Sequence, residues 1–171
     1  MTHAIMPTSV EVFFDDIIVS KTDTKGRITY ANRVFAQVCG YSEAELIGKP
    51  HSILRHPDMP RCVFKLLWDT IQNGREIFAY VKNITRNGDF YWVFAHVTPS
   101  FDSERNIIGY HSNRRVPERR VIGALAPLYA ELLAEEARHR NGKEALEAGY
   151  RRLIAFVNSK NMSYDQLVFA L

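Results

Sequence analysis

The segment HSILRHPDMP carries three side chains that can bind ligands, Arg55, His56 and Asp58. The planar guanidinium of Arg55 can donate two parallel, charge-assisted hydrogen bonds, which suits a diphosphate group. His56 could donate to a phosphate or a ribose hydroxyl, and its protonation near neutral pH would make such binding mildly pH-sensitive. Because a carboxylate repels phosphate, we expect Asp58 to orient Arg55 or His56, or to accept from a ribose hydroxyl. This bend is therefore a candidate anion-binding site.

The same residues also have ordinary structural interpretations. Asp58, two positions before Pro60, stands where a helix N-cap is expected. His56 is typical of a solvated loop residue. Asn32 likewise precedes a helical pattern and is expected to cap it. From the residue types alone, the structural and the binding interpretations both stay open.

Other kinds of catalytic or metal chemistry have no motif in the sequence. The two cysteines, Cys39 and Cys62, are too few for a disulfide framework and lack the CxxC or Cys/His spacing of a metal site. No phosphate loop, paired-carboxylate motif or Ser/His/Asp set stands out, and histidine-kinase, cyclase and methyl-accepting signatures are missing. We therefore expect no enzymatic activity, and an output through a partner or through the C-terminal region.

The composition is typical of a folded protein of one domain, with room for a short helical extension. Of the 171 residues, 46% are hydrophobic and 24% charged, and 22 basic and 19 acidic residues give a net charge of +3. The densest basic stretch, around Arg114 and Arg120, also contains a proline and a glutamate, which indicates a junction rather than a nucleic-acid-binding arm. With no apolar run long enough for a bilayer and no signal-peptide pattern, we expect a cytoplasmic protein without a membrane or nucleic-acid partner.

The elements that must position these side chains begin with a hairpin, in which a turn over 23–26 joins the strand-like segments IIVSKTD and RITYA. Short helices follow. RVFAQVCG ends on Gly40, and SEAELIG opens with the capping-box pair Ser42 and Glu45. RCVFKLLWDTIQNG has apolar residues at helical spacing and is the longest helix predicted in the first half.

Three strands in succession complete the domain. FAYVKNITR and FYWVFAHVTPSF are separated by the Asn87-Gly88 turn, and NIIGYHSNRRV follows a turn over 102–106. This order predicts an α+β fold, in which short helices cover one face of a five-stranded antiparallel sheet and C-terminal helices follow. We divide the chain into an N-terminal tail over 1–9, a domain over 10–116 and a helical extension over 117–171.

The extension is predicted to form helices. ERRVIGALAPLYAELLAEEARHR has an apolar stripe that Pro127 is expected to kink, and Asn141-Gly142 ends this pattern. KEALEAGYRRLIAFVNS forms a second helix, and Ser163 can cap a short third one. Because a helical hairpin of this size buries too little surface by itself, it must dock on the domain or pair with a second chain. The sequence leaves both arrangements open.

The order of elements and three sequence stretches resemble the PAS family. The stretches are ITYANRVFAQVCGYSEAELIGKPHSILRHPDMP, WDTIQNG and KNITRNGDFYWVFAHVTP, within residues 16–116. LRHPDMP is similar to the segment that helps to bind FAD in the PAS domains of bacterial aerotaxis receptors. The resemblance implies a PAS fold with a non-covalently bound FAD. It also implies cofactor-binding roles for Arg55, His56 and Asp58, with Asn32 near the same cavity.

A flavin ring is a flat apolar plate with one polar edge, so its site needs aromatic and aliphatic walls and a few polar donors. We expect Asn83 to offer its amide to the pyrimidine edge. Trp68, Trp92, Phe78 and Tyr91 include the candidate wall residues, although plain core packing is the more ordinary role of a tryptophan. Tyr91 and Trp92 point to opposite faces of a strand, so only one of them can line the cavity.

The function implied by the resemblance is redox, oxygen or energy sensing, with reduction of the flavin transmitted through the strands to the C-terminal helices. A diphosphate bound by Arg55 fits FAD better than FMN. Because the chain shows neither a membrane anchor nor a long signalling coiled coil, we expect a free-standing sensor. Its expected partners are the flavin, a second copy of the chain in a homodimer, and an unidentified downstream signalling protein.

Two alternatives to a flavin sensor stay open. One is a cofactor-free PAS module that dimerises through its flanking helices and serves as an adaptor. The other is a haem-binding gas sensor that uses His51, His96 or His111. A light-driven adduct with Cys62 is not expected, because the NCRFLQ-like motif of light-sensing relatives is absent.

Overall fold

A computed structural model describes residues 5–171, so residues 1–4 of the predicted N-terminal tail lie outside the described part. The strands are β1 (Ile18–Thr22), β2 (Ile28–Ala31), β3 (Ile77–Ile84), β4 (Phe90–Phe101) and β5 (Ile107–Arg115). The helices are α1 (Arg33–Cys39), α2 (Glu43–Leu46), α3 (Arg61–Gln72), α4 (Arg119–Ala137), α5 (Gly142–Ser159) and α6 (Tyr164–Ala170). A short 3-10 helix covers His51–Leu54.

The five strands form one antiparallel sheet in the order β2-β1-β5-β4-β3. This confirms the predicted α+β fold with its five-stranded sheet. The predicted hairpin of β1 and β2 and the predicted meander of β3, β4 and β5 are both present, and β1 pairs with β5 to join them. The edges of the sheet are therefore β2 and β3.

Side-chain alternation along the strands gives the sheet an inner and an outer face. The inner face carries small and β-branched side chains such as Val81, Val93 and Ala95, and it faces α3. The outer face of the same strands carries aromatic side chains such as Tyr80 and Phe94, whose rings stack with centroids 4.7 Å apart. The two faces therefore have different partners.

The predicted helix boundaries are confirmed where a side chain or a glycine sets them. The side chain of Asn32 accepts a hydrogen bond from the first turn of α1, and Gly40 ends that helix at a φ of 76°. Ser42 and Glu45 form the predicted capping box of α2. Ser163 caps α6 in the same way.

The N-terminus of α3 is not capped by a residue of its own segment. Pro60 precedes the helix and has no side-chain acceptor. The carboxylate of Glu136, at the end of α4, accepts instead from the backbone N–H groups of Arg61 and Cys62, at 3.0 and 2.8 Å. The alternative in which Asp58 caps this helix is wrong, because its carboxylate binds a lysine of β3 at 2.6 Å.

The C-terminal helices dock on the domain. The hydroxyl of Tyr129 in α4 donates to the carbonyl of Tyr80 in edge strand β3, at 2.7 Å. α5 packs against α3 and α4, and Phe169 of α6 contacts Phe78 on the outer face, with centroids 4.7 Å apart. α4 continues through Pro127. None of the helices in residues 5–171 combines the length and the apolar character that a membrane span requires.

The segment before β1 also packs on the domain. The backbone N–H of Thr8 donates to the carbonyl of Gly88 in the turn before β4, and that of Val12 donates to the carbonyl of Phe90 at the start of β4, both at 2.8 Å. Glu11 forms an ion pair of 2.7 Å with Arg119 at the start of α4. The segment before β1 is therefore in direct contact with the start of the C-terminal extension.

Candidate functional site

A cavity of about 350 Å³ lies between the inner face of the sheet and α3. Its apolar lining residues are Phe64, Leu67, Trp68, Ile71, Val81, Val93, Ala95, Val97 and Tyr110. Its polar lining includes Ser20, His51, Arg55, Asn83, Ser112 and Arg114. A mainly apolar cavity of this size with a few polar groups is the usual form of a small-molecule site.

The apolar walls follow from the periods of a strand and of a helix. Residues at alternate positions of β3, β4 and β5 share the inner face, and positions three and four apart on α3 share one helix face. Trp68 packs edge-on against Tyr110, with centroids 5.4 Å apart. Gly26, at a φ of 76°, lies so close to Trp68 that a Cβ there would be 2.9 Å from the indole ring. The turn between β1 and β2 thereby closes one side of the cavity.

Arg114 is the principal charged group of the cavity and is only 3% exposed. Its Nε donates to Ser112 Oγ at 3.0 Å, and its Nη2 donates to Ser20 Oγ and lies 3.0 Å from His51 Nε2. Its Nη1 is buried without a hydrogen-bond partner, and among residues 5–171 no carboxylate pairs with the guanidinium. Burial lowers the pKa of Arg114 to about 10, so the cation persists at neutral pH.

His51 is a neutral acceptor beside this cation. Burial, together with the charge of Arg114, lowers the pKa of His51 to about 3. An unprotonated Nε2 can therefore accept the hydrogen bond from Arg114, which leaves the ring proton on Nδ1. The ring also stacks on Phe35, with centroids 5.8 Å apart. The arrangement keeps the positive charge on the guanidinium.

Arg55 and Asn83 also line the cavity, and their backbones meet in an antiparallel bridge. The guanidinium of Arg55 lies over the ring of Phe64 at 3.9 Å, and its Nε is buried without a partner. Burial lowers the pKa of Arg55, and the charge of Arg61 lowers it further. With Trp68, these are the sequence-selected residues that the structure brings together around the cavity.

His56 and Asp58 are not among the residues that line the cavity. His56 is buried, and its Nδ1 accepts from the backbone N–H of Asp58 at 3.0 Å. The carboxylate of Asp58, with its side chain 62% exposed, binds Lys82 Nζ. Burial lowers the pKa of His56, and the hydrogen bond from Lys82 lowers that of Asp58. These contacts shape the bend and attach it to β3.

Asn32 and Trp92 also lie away from the cavity. The Oδ1 of Asn32 accepts from the N–H groups of Phe35 and Val19 at 3.0 and 3.1 Å, and its Nδ2 donates to the carbonyl of Ile17 at 2.9 Å. Its amide is therefore used to join α1 to β1. Trp92 lies on the outer face of β4, beside a tyrosine of α4 at a centroid distance of 6.2 Å.

Arg114 and its partners form a binding group that the sequence motifs do not predict. The sequence patterns place Arg114 in a basic junction and indicate His51 only as a possible haem ligand. The signal that could have found them is the alternation in β5, because Ser112 and Arg114 share the face of Tyr110 and hence the inner face. Cys62 is buried beside Glu136, outside the cavity lining, and burial raises the pKa of its thiol.

Known proteins resemble the chain in sequence. A family model described as PAS fold matches residues 28–114. The aerotaxis receptor of Escherichia coli strain K12 is 43% identical over 120 residues, which are 70% of this chain and 24% of the receptor. The nitrogen fixation regulatory protein of Klebsiella pneumoniae is 28% identical over 99 residues, which are 58% of this chain and 20% of that protein. The chain thus spans less than a quarter of either relative.

A solved structure of similar fold belongs to a light receptor. The dark structure of the blue-light photoreceptor Aureochrome1 LOV aligns with a TM-score of 0.55 at 26% identity, and the alignment covers 71% of this chain and 84% of that one. Sequence and structure comparisons therefore agree on the fold of the part of the chain that holds the cavity.

Proposed function

The chain belongs to the PAS fold family, and on this basis we propose that its cavity binds FAD non-covalently and that the protein senses redox state, oxygen or cellular energy. The output passes to a downstream signalling protein rather than into a reaction product. A bound flavin supplies reversible electron uptake with a change of charge and hydrogen bonding at its ring edge. The contacts between the ring edge and the residues around the cavity then differ in energy between the two oxidation states, and this difference can alter the packing of the fold.

The volume and the lining of the cavity support a mostly apolar ring. Aliphatic side chains of the sheet stand on one side, and Leu67 and Trp68 of α3 stand on the other. The polar groups are few. Asn83 offers an amide that can both donate and accept, as the pyrimidine edge of a flavin requires.

The observation that carries the proposal is the uncompensated cation of Arg114. A buried charge is normally paired, because removing it from water is costly. Here its hydrogen-bond partners are two serine hydroxyls and a neutral histidine, and its guanidinium lies over the ring of Phe35 at 4.9 Å. Its Nη1 has no hydrogen-bond partner among the described residues. A ring that accepts a hydrogen bond from this Nη1 group and gains negative charge on reduction would supply both the missing acceptor and the missing counter-charge. Arg114 would then favour the reduced form and couple electron uptake to the fold.

Arg55 supports FAD over FMN. Its guanidinium lies beside the cavity at the predicted bend, with a buried Nε that lacks a partner. A diphosphate leaving the cavity here would meet a planar donor that can bind two of its oxygens at once. Lys25 also lines the cavity and adds a second positive charge. His56 and Asp58 then contribute by holding this bend rather than by touching the phosphates.

The names of the relatives agree with sensing but describe other proteins. One is an aerotaxis receptor and another is a blue-light photoreceptor. For this chain we propose a non-catalytic sensor that works in the cytoplasm as a homodimer. Ile17 and Tyr30, which are 53% and 42% exposed, leave apolar surface for a second copy. Light scattering on the purified protein measures that oligomeric state.

Absorbance spectroscopy tests the flavin directly. We expect the purified protein, or the protein mixed with FAD, to show oxidised-flavin bands that bleach with dithionite. Arg114→Gln should weaken FAD binding about ten- to a hundredfold, since a buried hydrogen bond to a charged group contributes roughly 1.5–3 kcal/mol. Arg115→Gln is the matched control, because Arg115 is exposed on the next position of the same strand.

Other spectra would overturn the flavin proposal. A Soret band would indicate haem, although His96 and His111 lie on the outer face and His51 already accepts from Arg114. A colourless protein that does not take up added FAD would leave a cofactor-free adaptor. Equal FAD affinity in Arg114→Gln and the wild type would remove the argument from the buried cation.

A further inference from the structure

The first turn of α3 receives its cap from a distant part of the chain. The helix has no acidic residue in that turn and no side-chain acceptor at its N-cap position. Both oxygens of Glu136 are used instead, each by one backbone N–H group of α3. Glu136 is only 8% exposed, so these are charge-assisted hydrogen bonds in a largely buried setting.

The surroundings of Glu136 indicate that this contact is built rather than incidental. Glu136 lies in the last turn of α4, where a helix dipole disfavours a carboxylate, so its own helix gains nothing from the charge. Gly149 of α5 makes room for it, because a Cβ there would be 2.7 Å from the carboxylate. Arg61 adds a second link by donating from Nη1 to the carbonyl of Gly142 at 3.0 Å.

The same helix forms a wall of the cavity. Phe64, Leu67 and Trp68 line the cavity from α3, and Phe64 lies within one turn of the Glu136 contact. The guanidinium of Arg55 also lies over the ring of Phe64. Among the described residues, by contrast, none that lines the cavity belongs to α4 or α5. Because α3 contacts both α4 and α5, it is a direct route from a ligand in the cavity to those two helices.

We propose that Glu136 is the positioning residue that couples occupancy of the cavity to docking of α4 and α5 on α3. The two states are a docked one, with both N–H groups bound to Glu136, and a locally undocked one, with the carboxylate and the first turn of α3 in water. A ligand that holds Phe64 and Trp68 in place favours the docked state. By linkage, the docked state raises ligand affinity by the same factor. The inference rests on the proposed function for the identity of the ligand.

Hydrogen exchange of α5 tests this coupling in the full chain. We expect added FAD to slow amide exchange over Gly142–Ser159 in the wild type about fivefold or more. Glu136→Gln keeps the volume and one acceptor but turns a donor toward an N–H group, so it should lose this slowing while FAD absorbance still reports binding. Glu135→Gln is the matched control, since within residues 5–171 the ion pairs of Glu135 are with Arg138 and His139 of its own turn. If Glu136→Gln does not fold, Glu136→Asp keeps the charge but is too short to reach both groups.

The outcomes separate this inference from the flavin proposal. Equal slowing by FAD in Glu136→Gln and the wild type overturns the coupling and leaves flavin binding intact. If the wild type binds no FAD, Ala95→Leu changes the cavity from the sheet side without any ligand. We then expect this substitution to alter exchange over α5 in the wild-type background but not together with Glu136→Gln. No change in either background overturns the coupling.

Discussion

At the scale of single residues, burial keeps several histidines uncharged in the fold. His51 shows this most clearly, because a pKa of about 3 in the fold contrasts with an ordinary value near 6.5. Burial also lowers the pKa of His56 and of His111. Each of these rings is more readily protonated in the unfolded chain than in the folded one, so acid favours unfolding.

We therefore expect the free energy of unfolding to fall as the pH drops from about 6.5 toward 5, by at most about 1.4 kcal/mol per pH unit for each such histidine. Urea unfolding at pH 7.5, 6.5 and 5.5 measures this slope. His51→Gln, which keeps an acceptor for Arg114 but cannot titrate, should flatten it. An equally steep slope in His51→Gln would contradict the assignment.

Arg55 allows a test of which flavin is bound. If its guanidinium holds a diphosphate, Arg55→Ala should weaken FAD about tenfold or more and riboflavin little, since riboflavin has no phosphate. Titrations followed by flavin fluorescence measure both affinities. Lys49→Ala, a change to an exposed basic residue outside the cavity lining, serves as the control. Equal losses of FAD and riboflavin would show that Arg55 acts on the ring or on the fold.

Only part of the residue-level site could be predicted from the sequence. Arg55, Asn83 and Trp68 line the cavity. They could be predicted because a motif and the periodicity of strand and helix positions indicate them. His56 and Asp58 share that motif, yet their local hydrogen bonds turn them to other partners. Alternation in β5 places Arg114 on the inner face, but its burial beside Ser20 depends on the pairing of β1 with β5, which joins segments distant in the sequence.

At the scale of elements, α3 depends on a glycine in another helix. Alanine is normally favoured over glycine inside a helix by about 1 kcal/mol. At Gly149, however, an added Cβ meets Glu136 at 2.7 Å, so we expect Gly149→Ala to destabilise the protein by about 1–3 kcal/mol. Gly123→Ala in α4 is the matched control, because nothing lies within 4 Å of its Cβ position, and it should stabilise by about 0.5–1 kcal/mol. Thermal or urea unfolding of both variants decides whether the Glu136 contact is tight.

Most of the helices and strands could be predicted from the sequence. Caps such as Asn32 and Ser42 and the Asn87-Gly88 turn act over a few residues, so their types reveal them. The cap of α3 could not be predicted, because it comes from a residue distant in the sequence. This residue, Glu136, is 74 residues away from Cys62 along the chain, and only the tertiary fold brings the two together.

At the scale of the whole molecule, the C-terminal extension is part of the structural unit. It covers Tyr80, Trp92 and Phe94 on the outer face and caps α3. In a chain ending at residue 116, the free energy of unfolding should fall by about 1.5–3 kcal/mol for each large side chain uncovered, and the protein should self-associate. Urea unfolding and light scattering measure both effects. A chain ending at residue 160, which lacks only α6, is the control and should be affected less.

The hydrogen bond from Tyr129 to Tyr80 has a further consequence. Strand β3 is an open edge, and an open edge offers unpaired backbone groups to any other extended chain. Tyr129 occupies one of these groups, and the backbone of Arg55 pairs with the same strand at Asn83. The helices that follow the sheet thus also protect it against intermolecular strand addition. A signal that lifted α4 fully from β3 would uncover an edge to which another strand could add, which favours a small, reversible displacement of the helices over their complete release.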